Sequence, residues 1–349
     1  MPSATPCPRL DSQRPLCVVI AIDVEEEGLF CGRYPSQNLS TTNVTALERL
    51  IPLTADLGFP LTLLCTHAAL ADARGRTVIE RMGHHHGAEI GAHLHHWHTP
   101  PLRGLPHASP SAAEVPVDLM AAKVRTLIDL CAETRGRPVT SFRQGRWDLR
   151  PELWPILAQA GVQVDSSIHP LRFPRGGPDH FLAPTQPFRV SVDGFDMLEM
   201  PISVAPLMRG LGPSVHFLAN CLGDTHGLRL LHTFPNWGLM PLKPVWHGLA
   251  YLKAATRLLV LQGGRVLSLT WHSSEMMAGC APHLPTQAHV DRLLRRIRLF
   301  LEWLPTAFPV RGLTLEDLAR EDMPFPRLGR IPASRAGDWC PRHLVDETR

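Results

Sequence analysis

Two segments far apart in the chain set carboxylates and imidazoles at the ends of apolar runs: CVVIAIDVEEE, Cys17 to Glu27, and AEIGAHLHHWH, Ala88 to His98. These groups are the oxygen and nitrogen donors of hydrolytic metal sites. Parallel strands ending side by side would bring Asp23, Glu25, His93, His95, His96 and His98 to one rim. Asp23 and Glu25 stand two residues apart, so on extended backbone they face the same side. One carboxylate could bind a cation while its neighbour takes a proton from water, a division that needs two carboxylates in different surroundings. The alternative for 23–27 is a solvated acidic loop. His93 and His95 share a face if the strand continues, whereas a loop after His93 would return His98 to the same point. The register therefore decides between His95 and His98. His84, His85 and His86 lie next to a glycine before this run and read as decoration of a surface turn.

Two further segments complete a plausible set. SFRQGRW, residues 141 to 147, puts Arg143 at a strand end with Arg146 and Trp147 just beyond, where a guanidinium could hold a carboxylate through two parallel bonds. LSLTWHSSE, residues 267 to 275, puts His272 at the C-terminal end of an apolar strand, the usual place for a catalytic group in a barrel. The eight cysteines show no CxxC spacing and read as reduced thiols. Among them Cys280 stands near His272, where a Cys–His pair could be nucleophilic.

The elements that must position these groups alternate. Apolar strand-like runs at 17–22, 60–65, 88–92, 139–143, 162–165 and 265–271 are separated by helical patterns at 43–57, 76–82, 117–133, 151–160 and 246–261, with further helices at 287–303 and 314–320. Repeated βα units predict a parallel sheet. FRVSVDGFDMLEMP, residues 188 to 201, predicts an antiparallel excursion turning at Asp193–Gly194, and the Gly-, Pro-, His- and Trp-rich stretch 205–245 predicts a substrate wall. One unit over 17–321 is expected, after an N-terminal extension at 1–16 and before an irregular, proline-containing tail at 322–349.

The 349 residues, 44% hydrophobic, suffice for a barrel of about 250 residues with elaborations. With 35 Lys and Arg against 32 Asp and Glu, and no dense basic run with interleaved aromatics, nucleic acid is not an expected partner. No apolar stretch reaches the ~18 residues of a transmembrane helix. The first sixteen residues hold no apolar stretch of signal-peptide type, so a cytoplasmic location is the expectation.

The ordered series IDVEEEG, EIGAHLHHWHTPP, SFRQGRW, VDSSI, LEMPIS and LTWHSSE resembles the polysaccharide deacetylases, the NodB-homology or carbohydrate esterase family 4 group, in its branch with an HLHxW-type second motif. The likeness covers roughly residues 17 to 320. It implies an α/β fold, a distorted (β/α) barrel of seven strands, and metal-dependent removal of an N-acetyl group from a sugar or glycan, with a divalent ion such as Zn2+. By that resemblance Asp23 matches the catalytic base, Glu25 the acidic ligand, His93 the first histidine ligand and His98 the second, with His95 as its substitute. Arg143 matches the arginine that orients the base, His272 the general acid, and Asp165 the aspartate that supports the catalytic histidine. The chain departs from the family pattern in having Val24 between its two carboxylates and Trp97 four residues after His93. Hydrolysis of another linear or cyclic amide, and sugar binding without catalysis, are the other functions such a fold supports.

Overall fold

The computed structural model describes residues 14–328 apart from 33, 106–110, 151, 174–176 and 193. Strand β1 (Leu16–Val24), LCVVIAIDV, is buried along its whole length, as an unbroken apolar run must be when both faces of a parallel sheet are covered. It pairs in parallel with β2 (Leu61–Cys65) on one side and β10 (Val266–His272) on the other. The sheet continues through β3 (Glu89–Leu94), β4 (Ser141–Gln144), β5 (Val164–Asp165) and β7 (Phe195–Glu199), all parallel. These seven strands match the expected number, but β11 (Val310–Leu313) also pairs in parallel with β1, so eight strands run parallel.

Among the described residues the tract is not closed into a barrel. Its hydrogen-bonded path ends at β10 on one side, and on the other it runs through β6 (Phe188–Val192), antiparallel to β7, to β12 (Arg327–Leu328). Strand β11 (Val310–Leu313) pairs with the first half of β1, below the point where β2 takes over. A separate ladder joins β8 (Val204–Pro206) to β9 (Leu239–Pro241). The tail expected to be irregular thus gives a two-residue strand at its start, and its remainder, 329–349, lies outside the described residues, as do Cys7 and Cys340.

The helices cover the sheet with amphipathic faces. Helix Gln287–Ala307 buries Val290, Leu293, Ile297, Phe300, Leu301 and Leu304, the i, i+3, i+4 stripe of a core-facing helix. Helix Leu315–Arg320 starts at a capping box between Thr314 and Asp317. The helix expected over 43–57 is a 3-10 helix, Thr42–Leu50, followed by a short α-helix, Ile51–Ala55. Pro52, at the start of the α segment, has no N–H to bond back into a continuous helix. His84, His85 and His86 sit on the last turn of helix Ala73–His86, rather than on a turn, with His84 and His85 exposed. Stretch 205–245 forms helices Leu211–Cys221 and Gly223–Thr233, which bury a local apolar cluster with Leu171, Phe173 and Phe181. Among the described residues no helix is long and apolar enough to cross a membrane.

Candidate active site

The sheet register assembles the site. Asp23 is the Cα partner of His272 across β1 and β10, and His93 that of Arg143 across β3 and β4. Because parallel strands end on a common edge, four groups from four strands meet there. Three of them, Asp23, His93 and His272, open on a cavity of about 190 Å³, whose further lining includes Glu25, Phe30, Tyr34, His95, Gln144 and Trp147, while Arg143 lies fully buried behind them. The expected wall from 205–245 does not line it. That role falls to the loop after β1 and the turn after β4.

Two imidazoles are presented with their ring tautomers set. His93 Nδ1 lies 3.1 Å from the Arg143 carbonyl oxygen, to which its N–H donates, leaving the Nε2 lone pair 3.5 Å from Glu25 Oε2. His95 Nδ1 donates to Glu26 at 2.9 Å, leaving its Nε2 3.4 Å from the same Glu25 oxygen. Burial, opposed in part by Asp23, lowers His93 to about 3, so the ring stays neutral and able to ligate. Glu25 is itself fixed through its backbone: its N–H donates to Ser273 Oγ at 3.1 Å, and its carbonyl accepts from Asn43 Nδ2 at 3.1 Å. The donors Glu25, His93 and His95 lie within 4.8 Å of one another. Two neutral imidazoles and one carboxylate, beside an open cavity, suit a divalent cation with a free coordination position.

His98 stands elsewhere. Its N–H donates to the His95 carbonyl at 3.2 Å, and this turn carries the ring to Glu26, with Nε2 3.0 Å from Oε2. The structure therefore joins His95, not His98, to Glu25 and His93. Glu26, absent from the sequence expectations, is fully buried between the two rings and is held ionised against its burial by His95 and His98.

A second half of the site is an ion network. Arg143 donates from Nη1 to Asp23 Oδ1 at 2.5 Å and to Thr270 Oγ1 at 2.9 Å, from Nε to the Ser166 carbonyl, and from Nη2 to Ser166 Oγ. The expected bidentate pair is thus replaced by one arm on Asp23 and two on Ser166. The Trp147 ring covers the guanidinium at 4.8 Å. Burial opposes the charge on Asp23, but Arg143, His93 and His272 hold its carboxyl below the usual range.

His272 Nε2 lies 3.7 Å from Asp23 Oδ2, and its Nδ1 lies 2.9 Å from Glu275 Oε2. Burial disfavours its charge, but Glu25, Glu275 and Asp23 raise it to about 10. Glu275 also accepts from His283 Nε2 at 2.7 Å. The carboxylate on the histidine is therefore Glu275, not Asp165. Asp165 accepts from Ser167 Oγ at 2.6 Å and shares a hydrogen bond with Glu199. Burial and Glu27 push the Cys280 thiol up to about 11, which disfavours the thiolate that a Cys–His nucleophile needs.

The turn after β4 is strained and tight. Arg146 and Trp147 have φ of 60° and 59°, costing roughly 1–3 kcal/mol each, and both line the cavity. At Gly145 a Cβ would stand 2.5 Å from His95 Cδ2 and 2.7 Å from the Leu94 carbonyl oxygen. Only glycine lets the turn pass against the His95 ring.

No family model and no curated protein matches the chain. Solved structures do. A protein from Mycobacterium smegmatis described as a polysaccharide deacetylase superposes with a TM-score of 0.50 at 15% identity, over 90% of this chain and 92% of that one. One from Pseudomonas aeruginosa PAO1, described in the same way, gives 0.50 at 17% identity over 87% and 89%. A 4-alpha-glucanotransferase from Thermococcus litoralis gives 0.54 at 12% identity over 90% of this chain, which spans only 42% of that one, so the architecture alone does not select the reaction. The chain has the fold of the polysaccharide deacetylases.

Proposed function

We propose that the chain is a metal-dependent hydrolase that removes the N-acetyl group from a sugar or glycan. One observation carries this reading: the Nε2 atoms of His93 and His95 converge on one Glu25 oxygen beside the Asp23 carboxyl and the His272 ring, in a single cavity. Glu25, His93 and His95 would hold the cation, and zinc suits the donor set. A divalent cation held there supplies a Lewis acid for the acetyl carbonyl and acidifies water in the cavity.

The chain's own residues supply the proton transfers. Asp23, kept ionised by Arg143, takes the proton of the attacking water through Oδ2, the oxygen not engaged by the guanidinium. His272, charged at neutral pH and oriented by Glu275, delivers its proton to the departing amine. The half-exposed Trp147 ring forms apolar wall against which a sugar face can lie, while Trp97 is fully buried behind the His95 ring that stacks on it.

The test is acetate release from a panel of N-acetylhexosamine substrates, with the zinc-loaded protein, the chelated protein and Asp23→Asn. Release that needs the metal and falls by about 10²-fold or more in the variant supports the reading. Ring opening of cyclic amides without acetate release would assign the other amide chemistry. A protein that binds sugar equally with and without metal, and releases nothing, is a binding relative.

A further inference from the structure

Stretch 205–245 does not wall the catalytic cavity, yet the surface it shares with its neighbours has a composition of its own. From 200 to 274 the sequence carries Arg209, Arg229, Lys243, Lys253, Arg257 and Arg265 against one acid, Asp224. The rest of the chain holds 29 Lys and Arg against 31 Asp and Glu, so the positive charge of the protein is concentrated here. The same stretch leaves apolar groups in water: of the twelve large apolar side chains exposed among the described residues, eight fall within 207–261. Scattered exposed apolar residues are ordinary, but a concentration of them on one cationic segment marks an interaction site.

Hydrogen bonds hold four of these side chains together at one end of the sheet. Gln262 Nε2 donates to the Pro206 carbonyl at 2.6 Å, and Arg209 Nη2 donates to the Leu261 carbonyl at 3.5 Å. The loop bearing Leu207 and Met208 is thereby fastened to the C-terminal end of helix Leu249–Leu261. The Leu207 N–H donates to the Gly238 carbonyl at 3.0 Å, next to Trp237. Met208 is 62% exposed and Leu261 68%, values that a side chain held for packing would not show.

Leu261 is also the edge of a second cavity. This cleft, of about 440 Å³, lies at the N-terminal ends of β1 and β10, opposite the ends that carry Asp23 and His272. Its volume falls in the range of roughly 300–1,000 Å³ usual for ligand sites. Its described lining is apolar, Leu16, Leu261 and Phe308 among it, except for Arg14, Arg257 and Arg265, and it includes no carboxylate. The Arg257 guanidinium stands over the Trp303 ring at 5.0 Å. An apolar floor edged by guanidinium groups is complementary to an acyl chain that carries an anionic head. A protein partner would instead be met by shape and by paired hydrogen-bonding groups.

We propose that this face, Leu207, Met208, Trp237 and Leu261 with Arg209 and the arginine-edged cleft, seats the protein on an anionic phospholipid surface. Leu261 and its apolar neighbours enter the headgroup boundary, the arginines meet the phosphates, and the cleft receives part of an acyl chain. The seat is peripheral, since no described helix is long and apolar enough to cross a membrane. It is independent of the reaction proposed for the other cavity.

The experiment is co-sedimentation of the full-length chain with vesicles of phosphatidylcholine alone and of phosphatidylcholine containing phosphatidylglycerol. The parent is expected to bind the phosphatidylglycerol vesicles and not the neutral ones, and to be released by salt. Arg209→Gln and Arg257→Gln should each weaken binding about fivefold, and Met208→Ser with Leu261→Ser about tenfold or more. Thermal melting of each variant confirms that it is folded. Absence of binding to phosphatidylglycerol vesicles, or equal binding by a folded variant with all four substitutions, overturns the seat. A parent that is a dimer by light scattering, turned monomeric by Leu261→Ser and silent towards vesicles, also overturns it and gives the face to a second copy. None of these results touches the deacetylase reading, which fails separately if no acetate is released from any N-acetylated sugar.

Discussion

The His95 ring is shared between two carboxylates: Nδ1 lies 2.9 Å from Glu26 Oε1, and Nε2 lies 3.4 Å from Glu25 Oε2. A carboxylate on the far nitrogen fixes the tautomer and raises the basicity of the near one. His98 reaches only Glu26. His95→Ala is therefore expected to abolish tight zinc binding. Glu26→Leu and His98→Ala should weaken it about 10–100-fold while leaving one ion per chain. A competitive titration against a chromophoric chelator measures this, and a His98→Ala variant that holds no zinc would return His98 to the ligand set.

Gly145 sets the position of the same ring from the opposite side. Its substitution by alanine places a methyl group against His95 Cδ2 and the Leu94 carbonyl, and backbone cannot yield as a flexible side chain can. Gly145→Ala should cost roughly 1–3 kcal/mol of stability and weaken zinc binding, with cobalt-substituted spectra that differ from the parent's. Unchanged cobalt spectra would mean that the ring does not depend on this contact.

Asp23, His93 and His272 were legible in the sequence because each closes an apolar run, and parallel strands share an edge. Arg143 falls one residue short of the end of β4 and was equally legible. Parity also favoured His95, which keeps the alternation of His93, but β3 ends at Leu94, so alternation alone could not fix where the next side chains point. The places of Glu26 and Glu275 are not legible in the sequence for that reason. Each is set by a turn beyond a strand, where direction comes from hydrogen bonds between segments far apart in the chain. The helices of 211–233 are not legible in the sequence because glycine at 212, 223 and 227 and proline at 213 mask the helical period, while local burial with Leu171 and Phe181 sustains it.

Arg143 is fully buried and spends its donors on Asp23, Thr270 and Ser166. Arg143→Met would leave the Asp23 charge buried and unmatched, for which a loss of about 3–5 kcal/mol is expected. The carboxyl would then relax upward in pKa, and the acid limb of the rate profile should move to higher pH. Arg143→Lys keeps the charge but not the fork, so it should restore only part of the stability. Urea unfolding of the three proteins checks the order parent, Lys, Met. A Met variant as stable as the parent would show that the pair contributes nothing net.

His180 gives a pH dependence independent of the metal site. It is buried, with Nδ1 accepting the His169 N–H at 3.4 Å, and burial lowers it to about 4. Above pH 6.5 the ring is neutral in both folded and unfolded chains, so it contributes no pH dependence there. As pH falls from 6.5 to about 4 the unfolded chain takes up a proton that the folded chain refuses, and stability is lost across that window. Between pH 7.5 and 5 the loss from this group is about 2 kcal/mol. His180→Gln, which can still accept the His169 N–H but does not titrate, should reduce the difference in unfolding free energy between those two pH values by that amount. Equal pH sensitivity in the Gln variant and the parent would place the acid lability on other groups.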